Sequence, residues 1–237
     1  MGMAKKQNSD SNRFTVADRI EQSILSGQRK PGGRLREISL AQELGVSQGS
    51  IREALAELEI RGLVVKYPNR GTYVIELDAQ ALRDVFQVRG ELEPLACLLL
   101  AGCMTPEAGE ALRRLLEEIR ATAERGDYPA CQNATFRFHQ TIWAYQPNRM
   151  VEKLLNMICL PLFAYDLIRR YSERYANYTR LIRQHELLLT TLVAGDGETA
   201  ARLMRRFLKQ WLREDLHDYG QLSQSKNETT TQTHIDK

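Results

Sequence analysis

Apolar positions recur along this chain in two rhythms. Between Leu35 and Leu58 the spacing is helical, in two short blocks. Leu40, Ala41 and Leu44 share one face of a first helix, and Ile51, Ala54, Leu55 and Leu58 share one face of a second. Gly45-Val46-Ser47 separates the blocks as a tight turn, with Ser47 as the cap of the second helix. After Gly62 the rhythm shortens. Leu63 to Tyr67 predicts a strand, Pro68-Asn69-Arg70-Gly71 a turn, and Thr72 to Ile75 a returning strand. From Asp78 onward no further strand signal appears. Helical stretches are predicted at about Ala79 to Cys103, Pro106 to Arg125, Tyr128 to Tyr145, Met150 to Tyr171, Tyr175 to Ala194 and Gly197 to Tyr219. Thr105-Pro106 and Gly126 punctuate them, and Pro161 is expected to kink or split the fourth. The last stretch carries a stripe of Ala200, Leu203, Met204, Phe207, Leu208, Trp211, Leu212 and Leu216.

The predicted fold is therefore mainly α. An N-terminal winged helix-turn-helix is followed by an all-helical bundle of six or seven helices. The expected boundaries are a flexible N-terminus over 1–12, a winged helix-turn-helix over 13–77 (helix-turn-helix about 37–56), a helical domain over 78–220 and a disordered polar tail over 221–237. Two packed helices joined by a glycine turn are common. The hairpin that follows, with a basic tip, turns the pattern into a winged helix. Its second helix points Gln48, Gly49, Ser50 and Arg52 outward, a small polar surface suited to base edges in a major groove. Arg36 precedes the first helix. Arg70 supplies charge at the wing tip, and Gly71 allows close backbone approach to a minor groove.

Charge supports this placement. The whole chain of 237 residues has a formal net charge of only +3, but residues 1–75 carry 12 Lys/Arg against 8 Asp/Glu, and the remainder 21 against 22. The positive excess lies where a phosphate backbone would be met. No apolar run approaches the ~18–20 residues of a membrane span, and the polar N-terminus has no apolar signal core. Cys97, Cys103, Cys131 and Cys159 show no paired spacing, so buried free thiols in a reducing cytoplasm are expected. No phosphate-binding glycine loop or His-Glu-x-x-His is present, which argues against an enzyme.

The first domain resembles the GntR family of bacterial transcription regulators. The residues that carry the resemblance are Pro31-Gly32, Leu35 to Glu37, Leu40-Ala41, Leu44 to Ser47, Arg52 to Leu55, Leu58, Gly62-Leu63 and Gly71 to Val74. One departure is Gln48, where the family usually has Arg, and it bears on operator sequence. The second domain resembles the all-helical ligand-binding (FCD) domain of the family's FadR branch. Arg89 with Leu92-Glu93, Phe138-His139, Asn148, His185, and Gly195-Asp196 with Ala200 and Met204 carry that likeness.

The resemblance implies a homodimeric DNA-binding regulator, located in the cytoplasm and reading a palindromic operator in double-stranded DNA. Its helical domain would bind a small-molecule effector, an organic acid. Candidate DNA contacts are Arg36, Gln48, Gly49, Ser50, Arg52, Arg70 and Gly71. Candidate effector contacts are Arg89, His139 and His185. Arg89 is also spaced for a salt bridge to Glu93, and both histidines also suit a packed core. Many members of the branch hold a divalent metal, and the matching positions here are Thr135, His139, His185 and Phe207. Two of the four are ligands, so no cofactor is expected, with a metal at His139 and His185 as the alternative. Tyr165, Tyr171, Tyr175 and Tyr178 are read as packing residues. The competing function is a metal-dependent sensor or small-molecule binding protein whose basic domain meets another protein.

Overall fold

The computed structural model describes residues 15–170 and 178–232, with side chains through 168 and from 178 to 217. The expected flexible segment 1–12, as well as Tyr171 and Tyr175, lies outside the described residues. The chain divides into two compact units. One holds residues up to Glu76 together with the stretch that begins at Leu160, and the other holds Leu77–Cys159 together with the rest of the chain.

In the first unit, α1 (Val16–Leu25) precedes a short strand β1 (Arg34–Leu35), then α2 (Glu37–Leu44), α3 (Gln48–Ile60), β2 (Val64–Tyr67) and β3 (Gly71–Val74). The helix pair forms as the spacing predicts. α2 stops at Gly45, whose φ of 67° suits glycine. α3 starts at Ser47, whose hydroxyl accepts from the Ser50 N–H at 3.1 Å. Leu40 of α2 and Ile51, Leu55 and Leu58 of α3 are buried with Ile20 and Ile24 of α1. The hairpin pairs Tyr67 with Gly71 at its tip and Val64 with Val74 at its base.

Two elements here lie outside the sequence expectation. α1 opens with a capping box, Thr15 accepting from Asp18 and Asp18 accepting from Thr15. It is tied to α3 by Arg61, which pairs with Asp18, Glu21 and Glu57. β1 is antiparallel to β3, with Arg34 opposite Tyr73, giving a three-stranded sheet in the order β1-β3-β2.

The second unit is built on α4 (Ala79–Gly102), α5 (Pro106–Glu124), α6 (Tyr128–Tyr145), α8 (Tyr178–Val193), α9 (Gly197–Gln232) and the part of α7 (Arg149–Arg170) that precedes Leu160. Asp78, Thr105 and Asp127 cap α4, α5 and α6 through their side chains. α4 lies along α9, and α5 along α6. Leu82, Leu100, Leu112, Ile119, Phe138, Ile142, Trp143 and Leu155 are fully buried between them. The α9 stripe is buried at Ala200, Met204, Phe207 and Leu208 and half-buried at Leu203, Trp211, Leu212 and Leu216.

Three local expectations are revised. α7 runs unbroken through Pro161. A proline removes one intrahelical hydrogen bond, and the buried turn beyond it, Leu162, Ala164, Tyr165, Leu167 and Ile168, holds the helix by packing. α9 continues to Gln232, through the start of the expected disordered tail, in a stretch with no glycine or proline after Gly220. Cys103, unlike the other three cysteines, is exposed, because it follows the last residue of α4.

Candidate nucleic-acid interface and buried polar cluster

At the start of α3, Gln48 and Gly49 are exposed and Ser50 is half-buried. The Ser50 hydroxyl lies 3.0 Å from that of Ser47, so the cap uses it. Arg52, one turn on, has 64% of its side chain exposed, and its Nε donates to the Glu37 carboxylate of α2 at 2.7 Å. Arg36, just before α2, is exposed too.

The wing adds a second basic surface. Asn69, with φ of 59°, turns the hairpin, and Arg70 lies over the Tyr67 ring, 5.9 Å from its centroid. The Tyr73 hydroxyl donates to the Arg70 carbonyl at 3.2 Å, and the two tyrosine rings meet edge to face at 5.7 Å. Gly71 has φ of 102°, and a Cβ there would fall 3.2 Å from Arg34 Nε. Glycine is therefore favoured by conformation, and the guanidinium lies close against it. Arg34 is a basic wing residue that the sequence reading did not single out. Its only signal was its place in Arg34-Leu35-Arg36, because a two-residue strand has no period to detect.

In the helical unit, Arg89, Glu93, His139 and His185 come together from α4, α6 and α8. Arg89 is 2% exposed, and its Nε donates to Glu93 Oε1 at 2.6 Å. The predicted salt bridge is therefore formed, with the guanidinium over the Phe86 ring at 4.6 Å. Glu93 is fully buried. Burial works against its charge, but Arg89 and His139 outweigh it and hold the carboxyl down at about 2. His139 Nδ1 lies 3.1 Å from Glu93 Oε2.

His185 Nδ1 lies 2.8 Å from the Leu181 carbonyl. A carbonyl only accepts, so Nδ1 carries the proton and Nε2 presents its lone pair. That Nε2 is buried without a hydrogen-bond partner among the described residues. Burial, reinforced by His139, pushes the His185 pKa down to about 3, so the ring is neutral. The two imidazole centroids are 5.4 Å apart, and Trp211 closes on both, at 5.6 Å from His139 and 6.4 Å from His185. From the sequence, Trp211 stood out only as part of the α9 stripe, and Glu93 only in the FCD resemblance and as the partner of Arg89.

The metal implied by the resemblance needs more donors than these. The Thr135 hydroxyl donates back to the Cys131 carbonyl at 2.8 Å, inside its own helix. Phe207 is buried, with its ring 6.2 Å from Trp211. Among the described residues no group of three or more His, Cys, Asp and Glu is arranged to hold a metal ion. Two imidazoles fall short of the three or more protein ligands of a divalent site, so the donor set does not fit.

Known proteins fit both units. Residues 13–74 match the family described as bacterial regulatory proteins, gntR family, and residues 84–210 match the FCD domain. The chain is 27% identical over 205 residues to a probable D-xylose utilization operon transcriptional repressor of Paenarthrobacter nicotinovorans, covering 86% of this chain and 89% of that one. It is 26% identical over 200 residues to the HTH-type transcriptional regulator McbR of Escherichia coli, covering 82% and 88%. The solved structure of E. coli McbR/YncC superposes with a TM-score of 0.68 at 25% identity, covering 87% of this chain and 96% of the other. No helix among the described residues is long and apolar enough to cross a membrane. The chain belongs to the GntR family of bacterial transcription regulators, a family of DNA-binding proteins and not of enzymes, and it carries an FCD domain of the FadR type.

Proposed function

We propose that the protein is a homodimeric regulator that reads a palindromic operator with α3 and the wing, and that a small molecule held by the helical unit modulates this binding. The observation that carries the reading is the exposed run Gln48, Gly49 and Arg52 at the capped start of α3, together with a hairpin that has Arg70 at its tip and Arg34 of β1 laid against Gly71. A helix of this kind meets base edges with its first turns, and the basic wing meets phosphate or the minor groove. One such unit covers one half-site, and two half-sites lie roughly 34–36 Å apart along the duplex, so a two-fold dimer is the natural reader. A bacterial operator places the protein in the cytoplasm.

For the effector, the reading rests on Arg89, His139 and His185. They form a preassembled cluster of ionisable groups inside a mostly apolar bundle, with the lone pair of His185 Nε2 still to be matched. An organic acid is the effector of choice, its carboxylate taking up Arg89 or His139 and its hydroxyl donating to His185. Because Glu93 takes the Nε of Arg89, an acid that met this guanidinium would share it with Glu93, and its binding would be felt along α4. It can shift DNA binding only by its differential affinity for the two arrangements of the dimer, typically about 1–3 kcal/mol.

Selection from a random duplex library tests the first half. The expected result is an enriched palindrome bound with a steep salt dependence, log K falling by roughly 0.9 per phosphate contacted. Absence of any enriched motif would overturn it. A thermal-shift screen of organic acids, repeated after chelation, tests the second. A rise in Tm that survives chelation supports a metal-free effector site, and a rise abolished by chelation contradicts it.

A further inference from the structure

The contact between Arg52 and Glu37 joins the outward face of α3 to the first residue of α2, fifteen positions earlier. Arg52 carries five N–H groups. The one on Nε points back to Glu37, and the four on the two terminal nitrogens remain at the outer end of the fork. We propose that Glu37 is a positioning residue for sequence recognition. By fixing Arg52 Nε, it aims the two terminal nitrogens as a parallel pair at one base edge. This rests on the reading of α3 as the base-contacting helix.

A held guanidinium presents two parallel donors, which match the O6 and N7 acceptors of guanine in the major groove. Released from Glu37, the long side chain could turn as readily to the phosphates on either side, and it would then bind without reading. The second consequence has the opposite sign. A carboxylate beside the duplex repels phosphates whatever the sequence, so Glu37 weakens DNA binding in general while sharpening it at one base pair. A residue that only braced the fold would weaken both together. Glu37 has little bracing to do, since an ion pair this exposed, 34% and 64% at its two side chains, contributes little to stability.

The test uses the full chain and the duplex that the wild-type protein enriches from a random library, with a scrambled duplex as the control. In Glu37→Gln, discrimination should fall by roughly tenfold at the base pair where Arg52→Ala also loses it. Affinity for the scrambled duplex should stay level or rise. Glu37→Asp, which keeps the charge, should restore part of the discrimination. Adding Glu37→Gln to Arg52→Ala should cost no further discrimination. Unchanged thermal melts tie these effects to the interface. Undiminished discrimination in Glu37→Gln would overturn the proposal, as would equal loss on both duplexes or loss at a different base pair. If the wild-type protein enriches no motif, the reading of α3 itself falls, and the positioning role with it.

Discussion

The two polar constellations of this molecule are built on opposite terms. At the start of α3 and on the wing, Gln48, Arg52 and Arg70 stand in water, where an unpaired charge is cheap and a partner is optional. In the helical unit, Arg89, Glu93, His139 and His185 are nearly or wholly buried, and each charge has to be answered within the bundle. The exposed set can change residue by residue without endangering the fold, which suits a surface that must read a particular sequence. The buried set stands or falls together. On the proposed reading, binding and stability are therefore separable in the first unit and coupled in the second.

The sharpest test of that contrast is Glu93→Gln. It removes the buried carboxylate that pairs with Arg89, and breaking a buried pair from one side typically costs about 3–5 kcal/mol. Urea denaturation should show a lower midpoint, and the double change Arg89→Met with Glu93→Leu should recover most of the loss. A Glu93→Gln protein as stable as the wild type would mean that the pair is not buried as described.

At the exposed end, Arg52→Ala should leave the melting curve unchanged and abolish tight operator binding, at roughly 1–3 kcal/mol per subunit for a bidentate base contact. Anisotropy titrations with the selected duplex measure this. Unchanged affinity in the folded variant would remove Arg52 from the interface.

Much of this contrast was legible in the chain before the structure. The caps Ser47 and Thr105 and the stops Gly45 and Gly126 mark helix ends by local chemistry, and they stand where the spacing puts them. What escaped was non-local or too short to have a period. α1 had a readable capping box at Thr15 and Asp18, but its seat on α3 depends on Arg61, about forty positions away. β1 has two residues. The link from Glu37 to Arg52 and the closure of Trp211 on two histidines join separate helices, and neither spacing nor composition encodes them. Both histidines were legible as apolar-face residues. That His185 is neutral with a fixed tautomer follows only from the Leu181 carbonyl beside it.

That tautomer gives a pH prediction. His185 titrates at about 3 in the fold and near 6.5 when unfolded. Between those values the unfolded chain binds the extra proton, so stability falls as pH falls through the window. The slope is at most about 1.4 kcal/mol per pH unit. His185→Phe should remove this contribution, giving a flatter profile of denaturation midpoint against pH from 6.5 downward. An identical profile in the variant would refute the buried neutral ring.

The smallest effects belong to the wing. Arg34→Ala and Arg70→Ala should each weaken binding to selected and scrambled duplexes alike and lower the salt slope by about 1. Loss of discrimination at a single base pair would instead make either residue a base reader.

Amide hydrogen exchange with and without the selected duplex tests most directly the claim that α3 and the wing form the DNA interface. The account predicts slowed exchange confined, within the first unit, to residues 48–52 at the start of α3 and 66–72 across the wing, with α1 unchanged. Protection centred on α1, or none at residues 48–52, would contradict it.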